Sequence, residues 1–281
     1  MTGFLVFVVA IGYLFGYIYN SPGILYGAIA ISLVMNFVAY WYSDKIALAS
    51  TGARPISREE SIELYRIVEN LSITAGLPMP RLYIIPSAQI NAFATGRNPQ
   101  HAAVAVTEGA LSKLDENELQ GVLAHELSHV GNDDILISTV AVVLAGVIAS
   151  MSNWFIRIGG FQRRSSDDNR SGGGVLALLS LLAVLLAPLA ATLIRLAVSR
   201  RRESLADVSG ALLTRYPEGL ARALEKIAGD EMPMRTASNA TAHLFISNPF
   251  KGQARTSWFT KLFMTHPPLS ERIAALRGMQ V

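Results

Sequence analysis

A mainly α-helical integral membrane protein with a small β-sheet is the fold class that this 281-residue sequence predicts. Three observations predict it. Apolar residues gather into four long runs, enough for about four transmembrane helices. The polar segments between and after those runs read mostly as helix, with two short β-branched stretches. One of those helices carries His125-Glu126-Leu127-Ser128-His129, around which a catalytic domain can be organised. The composition agrees. Hydrophobic residues make up 51% and charged residues 16%, whereas an ordinary soluble domain carries about 25% charged residues.

The first run, Phe4 to Tyr19, and the second, Ile24 to Tyr42, are separated by Asn20-Ser21-Pro22-Gly23, a tight turn. Tyr17, Tyr19, Tyr40, Trp41 and Tyr42 stand near their ends, where interfacial aromatics belong. Gly12 and Gly16 form a G-x-x-x-G face that lets two helices approach closely. No basic stretch opens the first run and a second run follows at once, so a membrane hairpin over residues 1–43 is expected rather than a cleaved signal.

Residues 44–134 form the first polar segment. Ser57 to Ala75 has helical periodicity, opened by a Ser57 and Glu60 capping pair. Arg81 to Ile85 and Ala102 to Val106 read as strands. Asn91-Ala92-Phe93-Ala94-Thr95-Gly96 lies between them, and Asp115 caps the helix that carries the histidines.

Residues 135–198 hold the third and fourth runs, Ile135 to Phe155 and Val175 to Val198, around a Gly-, Ser- and Arg-rich loop. Residues 199–281 are read as helices over Ser199 to Arg215, Pro217 to Ala228 and Ser270 to Arg277, with prolines suited to helix starts.

Lys45, Arg54 and Arg58 follow the second run and Arg200, Arg201 and Arg202 follow the fourth, which favours a cytoplasmic position for both flanks. Arg157, Arg163, Arg164 and Arg170 in the intervening loop run against that tendency. The third and fourth runs therefore span the membrane, penetrate it partly, or pack beneath the catalytic domain.

The charge of +3 is not gathered into a basic block, so no nucleic-acid partner is expected. With no cysteine, disulfides and thiolate metal sites are excluded.

His125 and His129, four apart on one helix face, can reach a single metal ion, and Glu126 between them can take a proton from a water activated there. The alternative is a helix with two solvated histidines, but Val122, Leu123, Ala124, Leu127 and Val130 mark this helix as buried. Buried polar groups need partners. A catalytic zinc takes three protein ligands and keeps one position open. Position 132 is Asn and position 135 Ile, so a third histidine six residues beyond His129 is absent. A carboxylate on a second helix remains, and Glu203 in Arg202-Glu203-Ser204-Leu205-Ala206-Asp207 is the best candidate, against a plain surface pairing with Arg200 or Arg202. Asp207, one turn on, is placed to orient a ligating histidine. Two apolar runs separate His129 from Glu203, and an even number returns the chain to the same face.

In these residues, together with Gly131-Asn132-Asp133 and His266-Pro267-Pro268 leading to Arg272-Ile273, the sequence resembles the HtpX-like membrane metallopeptidases, relatives of the Ste24 CAAX-prenyl proteases. The resemblance covers nearly the whole chain. It implies a zincin-like (gluzincin) catalytic domain with one Zn2+ per chain on His125, His129 and Glu203, and Glu126 as catalytic base. It further implies a multi-pass protein of the cell membrane, its catalytic side facing the cytoplasm, that acts on membrane proteins or unfolded polypeptides in quality control.

It also suggests that the region of Asn91 and Ala92, with the Ala102 to Val106 strand, borders the substrate cleft and holds substrate as an added strand. It assigns His266 to stabilising the oxyanion or contacting a metal ligand, against a helix-start residue packed near Pro267, and Arg272 to pairing with Asp207 or another acidic group. Relatives often carry an aromatic residue where this chain has Ser204. His101 and His243 read as structural. The competing readings are a CAAX-type prenyl protease, although Ste24 proteins are longer with more spans, and a catalytically silent membrane scaffold, which would have no need of Glu126.

Overall fold

The computed structural model describes residues 2–143, 199–234, 236–238, 241–250 and 267–279. Contacts divide the chain into two units, Met1–Ser43 and Asp44–Val281.

The first unit is a helical hairpin of α1 (Thr2–Ile18) and the part of α2 (Pro22–Ser50) up to Ser43. Asn20 turns the chain in the left-handed region, with φ 47, a conformation that asparagine tolerates better than most residues. A Cβ on Gly12 would collide with Ala28 Cβ, so the expected glycine face does sit against the second helix. Among the described residues one helix is long and apolar enough to cross a membrane, α2, with 29 residues. At 1.5 Å per residue it is about 43 Å long, against a hydrocarbon core of about 30 Å. Exposed Tyr26, Leu33, Val34 and Phe37 line its flank. The third apolar run is described only as far as Val143, as helix α6 (Asp134–Val143). The rest of that run, the loop and the fourth run lie outside the described residues, and the expectation of four spans with them.

The second unit is built on a four-stranded sheet in the order β1-β2-β4-β3. The strands are β1 (Arg54–Pro55), β2 (Arg81–Ile85), β3 (Ala92–Thr95) and β4 (Ala103–Thr107). β2 and β4 are parallel, and the other pairs are antiparallel. Asn91 to Gly96, read from sequence only as the segment between two strands, contains a strand of its own. Its small side chains carry little β signal, and its pairing with β4 across register Phe93↔Ala105 is a tertiary event. β4 is interior, flanked by β2 and β3, so it has no edge on which substrate could add; β3 has one.

β4 is buried on both faces, and its alternate residues divide between two cores, as the period of two requires. Val104 and Val106 join Leu64, Val68, Leu123, Leu127 and Leu224 in the main core. Those residues come from α3 (Ile62–Ala75), α5 (Glu116–Gly131) and α8 (Pro217–Gly229). Ala103 and Ala105 meet Phe93, Phe245, Met234 and Leu48 in a smaller cluster on the opposite face.

α3 begins at Ile62, later than the Ser57 expected. Ser57 and Glu60 do exchange hydrogen bonds, Ser57 N–H to Glu60 Oε2 at 2.9 Å and Glu60 N–H to Ser57 O at 3.2 Å. They close a separate turn ahead of the helix. α3 ends at Gly76 in the left-handed conformation, φ 66. α5 starts as expected, with Asp115 and Glu118 in a reciprocal capping box. α4 (Glu108–Lys113) leads into it, and α7 (Arg200–Thr214) and α9 (Leu269–Arg277) complete the unit.

Two glycines set how closely α7 and α8 approach α5. A Cβ on Gly121 would stand 2.6 Å from Leu220 N, and one on Gly210 would stand 3.0 Å from His125 N. The second contact presses the helix bearing Glu203 against the one bearing His125. Overpacking at such a site costs about 1–3 kcal/mol. Gly210→Val should therefore lower both the Tm and the metal content of the purified protein. Gly229→Ala, where an added Cβ meets nothing within 4 Å, should leave both unchanged.

Candidate metal centre and active site

α5 is the floor of the site. His125 and His129 lie one turn apart on its buried face, and their Nε2 atoms are 3.3 Å from each other. α7 crosses above and brings Glu203, on its first turn, to both: Oε2 lies 3.9 Å from His125 Nε2 and Oε1 lies 3.6 Å from His129 Nε2. The three residues offer ligand atoms that all fall within 4.8 Å of one another. A tetrahedral ion with bonds of about 2.0–2.2 Å separates its ligand atoms by about 3.3–3.6 Å. The spacing thus suits a single ion.

The protein's own hydrogen bonds prepare the two imidazoles for a metal. His125 Nδ1 is 2.9 Å from Asp207 Oδ1. His129 Nδ1 is 3.2 Å from Asp134 Oδ2. A carboxylate on Nδ1 accepts a proton there and turns the Nε2 lone pair outward. Both lone pairs then converge on one point beside a third carboxylate. Buried carboxylates also outnumber their cations: Glu126, Glu203, Asp207 and Asp134 are buried, and the guanidiniums against them are Arg272 and Arg202. A divalent cation would balance that excess, and without one it carries a large desolvation cost. The donor set and the charge both fit a metal ion.

Arg272 is 3% exposed and grips Asp207 with both arms of its fork. Nε donates to Oδ2 at 2.8 Å and Nη2 to Oδ1 at 2.6 Å. Nη1 lies 3.7 Å from Glu203 Oε2. Burial works against the ionised form of Asp207, but the hydrogen bond and charge of His125, then those of Arg272, outweigh it and push its pKa down to about 2. Burial likewise opposes charge on His129, yet Asp134, Glu203 and Glu126 together raise its pKa above 6.5.

Glu126, between the histidines and 3% exposed, lines the same pocket. Its Oε2 accepts from Ala94 N–H at 2.8 Å. The pocket is completed by Ala94 from β3, Ile135 and Ser138 from α6, and His243, Leu244 and Ile246 from the segment 241–247.

The structure therefore gathers His125, Glu126, His129, Glu203, Asp207 and Arg272 into one constellation. His266 lies outside the described residues. Asn91 and Ala92 stand one step off the pocket, and Ala94 is the β3 residue on its wall. Asn91 is buried and turned to the segment 241–247, its Nδ2 donating to Ser247 O at 3.1 Å.

Three contributors escaped the sequence. Asp134 orients His129 and is itself held by Arg202 Nη1 at 3.1 Å. Its signal was the Asn132-Asp133-Asp134 run ending α5: Asp133 adopts φ 57 and turns the chain so that Asp134 faces back. His243, read as structural, ties its segment to Ser138 and also stands on the pocket wall, and Ala94 lay inside the Asn91 to Gly96 motif with nothing to single it out.

Because partners of this kind fix ligand orientation, Asp207→Asn and Asp134→Asn should each weaken metal binding about 10–100-fold, measured by competition with a chelating dye. Acid should act in the same direction. Metal must displace the proton that His129 holds, so affinity should fall as pH drops below its raised pKa, with proton release on binding. In the metal-free protein that proton stabilises the fold below pH 6.5, and the gain disappears as pH rises through the raised value. For Asp207 the sign reverses: its contribution is present above pH 3.8 and is lost as pH falls towards 2.

Comparison with known proteins agrees with this geometry. The profile of peptidase family M48 matches residues 58–280. The Protease HtpX homolog of Syntrophobacter fumaroxidans is 52% identical over 257 residues, which are 90% of this chain and 88% of that one. The Protease HtpX homolog of Pyrococcus furiosus is 49% identical over 282 residues, 99% of this chain and 91% of that one. In three dimensions the chain is similar to S. mikatae Ste24p, with a TM-score of 0.52 at 20% identity, over 95% of this chain and 62% of that one, a likeness of fold. With both histidines, the intervening glutamate and the second-helix carboxylate inside the matched region, the chain belongs to peptidase family M48 and is a metallopeptidase.

Proposed function

We propose that this chain is a zinc-dependent, membrane-anchored endopeptidase that cleaves membrane proteins or unfolded polypeptides at the cytoplasmic face of the cell membrane, in the service of protein quality control. The observation that carries the reading is the convergence of His125, His129 and Glu203 within 4.8 Å, with Glu126 on the same pocket. The ligand chemistry, two imidazoles and a carboxylate with no thiolate, favours zinc among the divalent ions of catalytic sites. The apolar α2, followed by Lys45, Arg54 and Arg58, supports anchoring with the second unit on the cytoplasmic side.

In this reading His125, His129 and Glu203 would hold the ion, which would supply Lewis acidity in the pocket. Glu126 accepts the proton of the attacking water and hands it to the departing amine. Its burial beside His125 and its single bond to Ala94 N–H hold the carboxylate in the pocket. Asp207 and Asp134 keep the imidazoles aimed, and His125 together with Arg272 keeps Asp207 ionised. His266 is assigned to the developing oxyanion by resemblance alone. The substrate backbone lies along the outer edge of β3 as an added strand, the mode by which main-chain groups give affinity independent of sequence.

The test is zinc content and casein cleavage by detergent-purified protein, beside Glu126→Gln and Glu203→Ala. One zinc in both the parent and Glu126→Gln, with at least about a 10²-fold loss of cleavage in the variant, is the expected result. Glu203→Ala should lose most of its zinc. Unchanged zinc in Glu203→Ala would remove that ligand assignment, and zinc without cleavage in any form would turn the reading towards a silent scaffold. A prenylated peptide cut in preference to its plain counterpart would turn it towards a prenyl protease.

A further inference from the structure

The edge of β3 is almost entirely spoken for. In its antiparallel pairing with β4, Asn91 O accepts from Thr107 N–H, so Asn91, Phe93 and Thr95 direct their main-chain groups inward. The register Phe93↔Ala105 and Thr95↔Ala103 continues that alternation. Ala92, Ala94 and Gly96 therefore present theirs to the outer edge.

At one end, Ala92 O accepts from Ile246 N–H at 3.1 Å, and Ala92 N–H is turned to Asn91 Oδ1 at 3.2 Å. At the other end, Gly96 N–H donates to Thr139 Oγ1 of α6 at 3.3 Å. In the middle, Ala94 N–H is held only by the Glu126 carboxylate, and no group among the described residues takes Ala94 O.

The two ends are firm and the middle is not. Segment 241–247 is locked by three hydrogen bonds, Ile246 N–H to Ala92 O, Ser247 N–H to Asn91 Oδ1 and Asn91 Nδ2 to Ser247 O. It is anchored by Phe245, 0% exposed and packed edge-to-face on Phe93 with centroids 5.2 Å apart. His243 Nε2 donates to Ser138 O at 3.1 Å and ties this segment to α6. Thr139 is fixed as well, since its hydroxyl also meets Thr95 Oγ1 at 2.9 Å. Displacing either cap exposes buried groups in exchange for one additional pair of strand hydrogen bonds. Freeing Ala94 N–H asks only for a turn of the Glu126 side chain, which its work on water requires in any case.

We infer that a substrate strand is held against β3 through a single main-chain rung, at Ala94, and that Ile246 and Thr139 are the residues that limit it to one. The inference rests on the strand-addition reading proposed above and narrows it. Recognition of this kind takes a polypeptide in a locally extended conformation at the scissile bond and asks little of the backbone further out, which suits frayed or unfolded chain rather than a long preformed strand.

A backbone ester scan tests it with the unaltered protein. The substrate is an octapeptide taken from a casein site that the protein cuts, each member of the set carrying one ester in place of an amide outside the scissile bond. One position should lose about three- to tenfold in kcat/KM, the worth of a single hydrogen bond, and the rest should hold. Losses at two or more positions spaced two residues apart would show an extended strand and overturn the single rung while keeping strand addition. A flat scan would overturn strand addition and the single rung together. Thr139→Ala, which releases Gly96 N–H, should add a second sensitive position two residues from the first. If that variant cleaves but its scan is unchanged, Thr139 does not set the length.

Discussion

The structure depends on two imidazoles, one buried and one half-buried, that are made to present their lone pairs to the same point. His125 and His129 each have a carboxylate on Nδ1, Asp207 at 2.9 Å and Asp134 at 3.2 Å. With those partners in place, the Nε2 atoms 3.3 Å apart repel unless a proton or a cation lies between them. Every other feature of the centre either brings a third carboxylate, Glu203, beside the pair or maintains the carboxylates that force the arrangement. Arg272 does the second task for Asp207, and Arg202 does it for Asp134. The cost of burying so much negative charge is offset by the ion it is built to receive.

Such a centre needs helices from distant parts of the chain at fixed separation, and small residues provide it. Gly210 lets α7 lie against the His125 backbone, and Gly121 lets α8 lie against α5. Lys226 reaches from α8 to Glu118, the capping-box residue of α5, at 2.6 Å, so the start of the histidine helix is held by its own cap and by its neighbour. The apolar filling is supplied by β-branched and leucine side chains of β4, α3 and α8 packed on α5. The candidate metal site is therefore a consequence of how one face of a small sheet and helices α3 to α9 close over the main core.

The same sheet sets how a polypeptide can meet the centre. β3 is both the edge strand and the strand whose Ala94 amide restrains Glu126, so the edge on which we place the substrate and the proposed general base share one main-chain group. The flanking caps come from segments on either side of the pocket, joined through His243 and Ser138. A membrane-anchored peptidase with an open edge would present a pairing surface to every unfolded chain and to its own copies, and a nearly closed edge limits that liability.

The sequence by itself determined what local chemistry controls. The histidine spacing put both rings on one helix face, Asp115 and Glu118 marked the start of that helix, and Pro217 marked the start of α8. The i, i+4 relation of Glu203 and Asp207 put both carboxylates on one helix face, and the structure brings both beside the histidines. These are decided within a turn or two of chain, where residue type and period suffice. Tertiary structure alone decided the rest. Ala92 to Thr95 became a strand because β4 was there to pair with, and α3 began late because Ser57 and Glu60 closed a turn of their own. Asp134 became a partner of His129 because Asp133 turned the chain in the left-handed region. His243 came to the pocket from more than a hundred residues away, through contacts that no local pattern records. Local spacing can say which atoms are able to bind an ion, but only packing between distant segments decides which carboxylates aim them and which edge a substrate can reach.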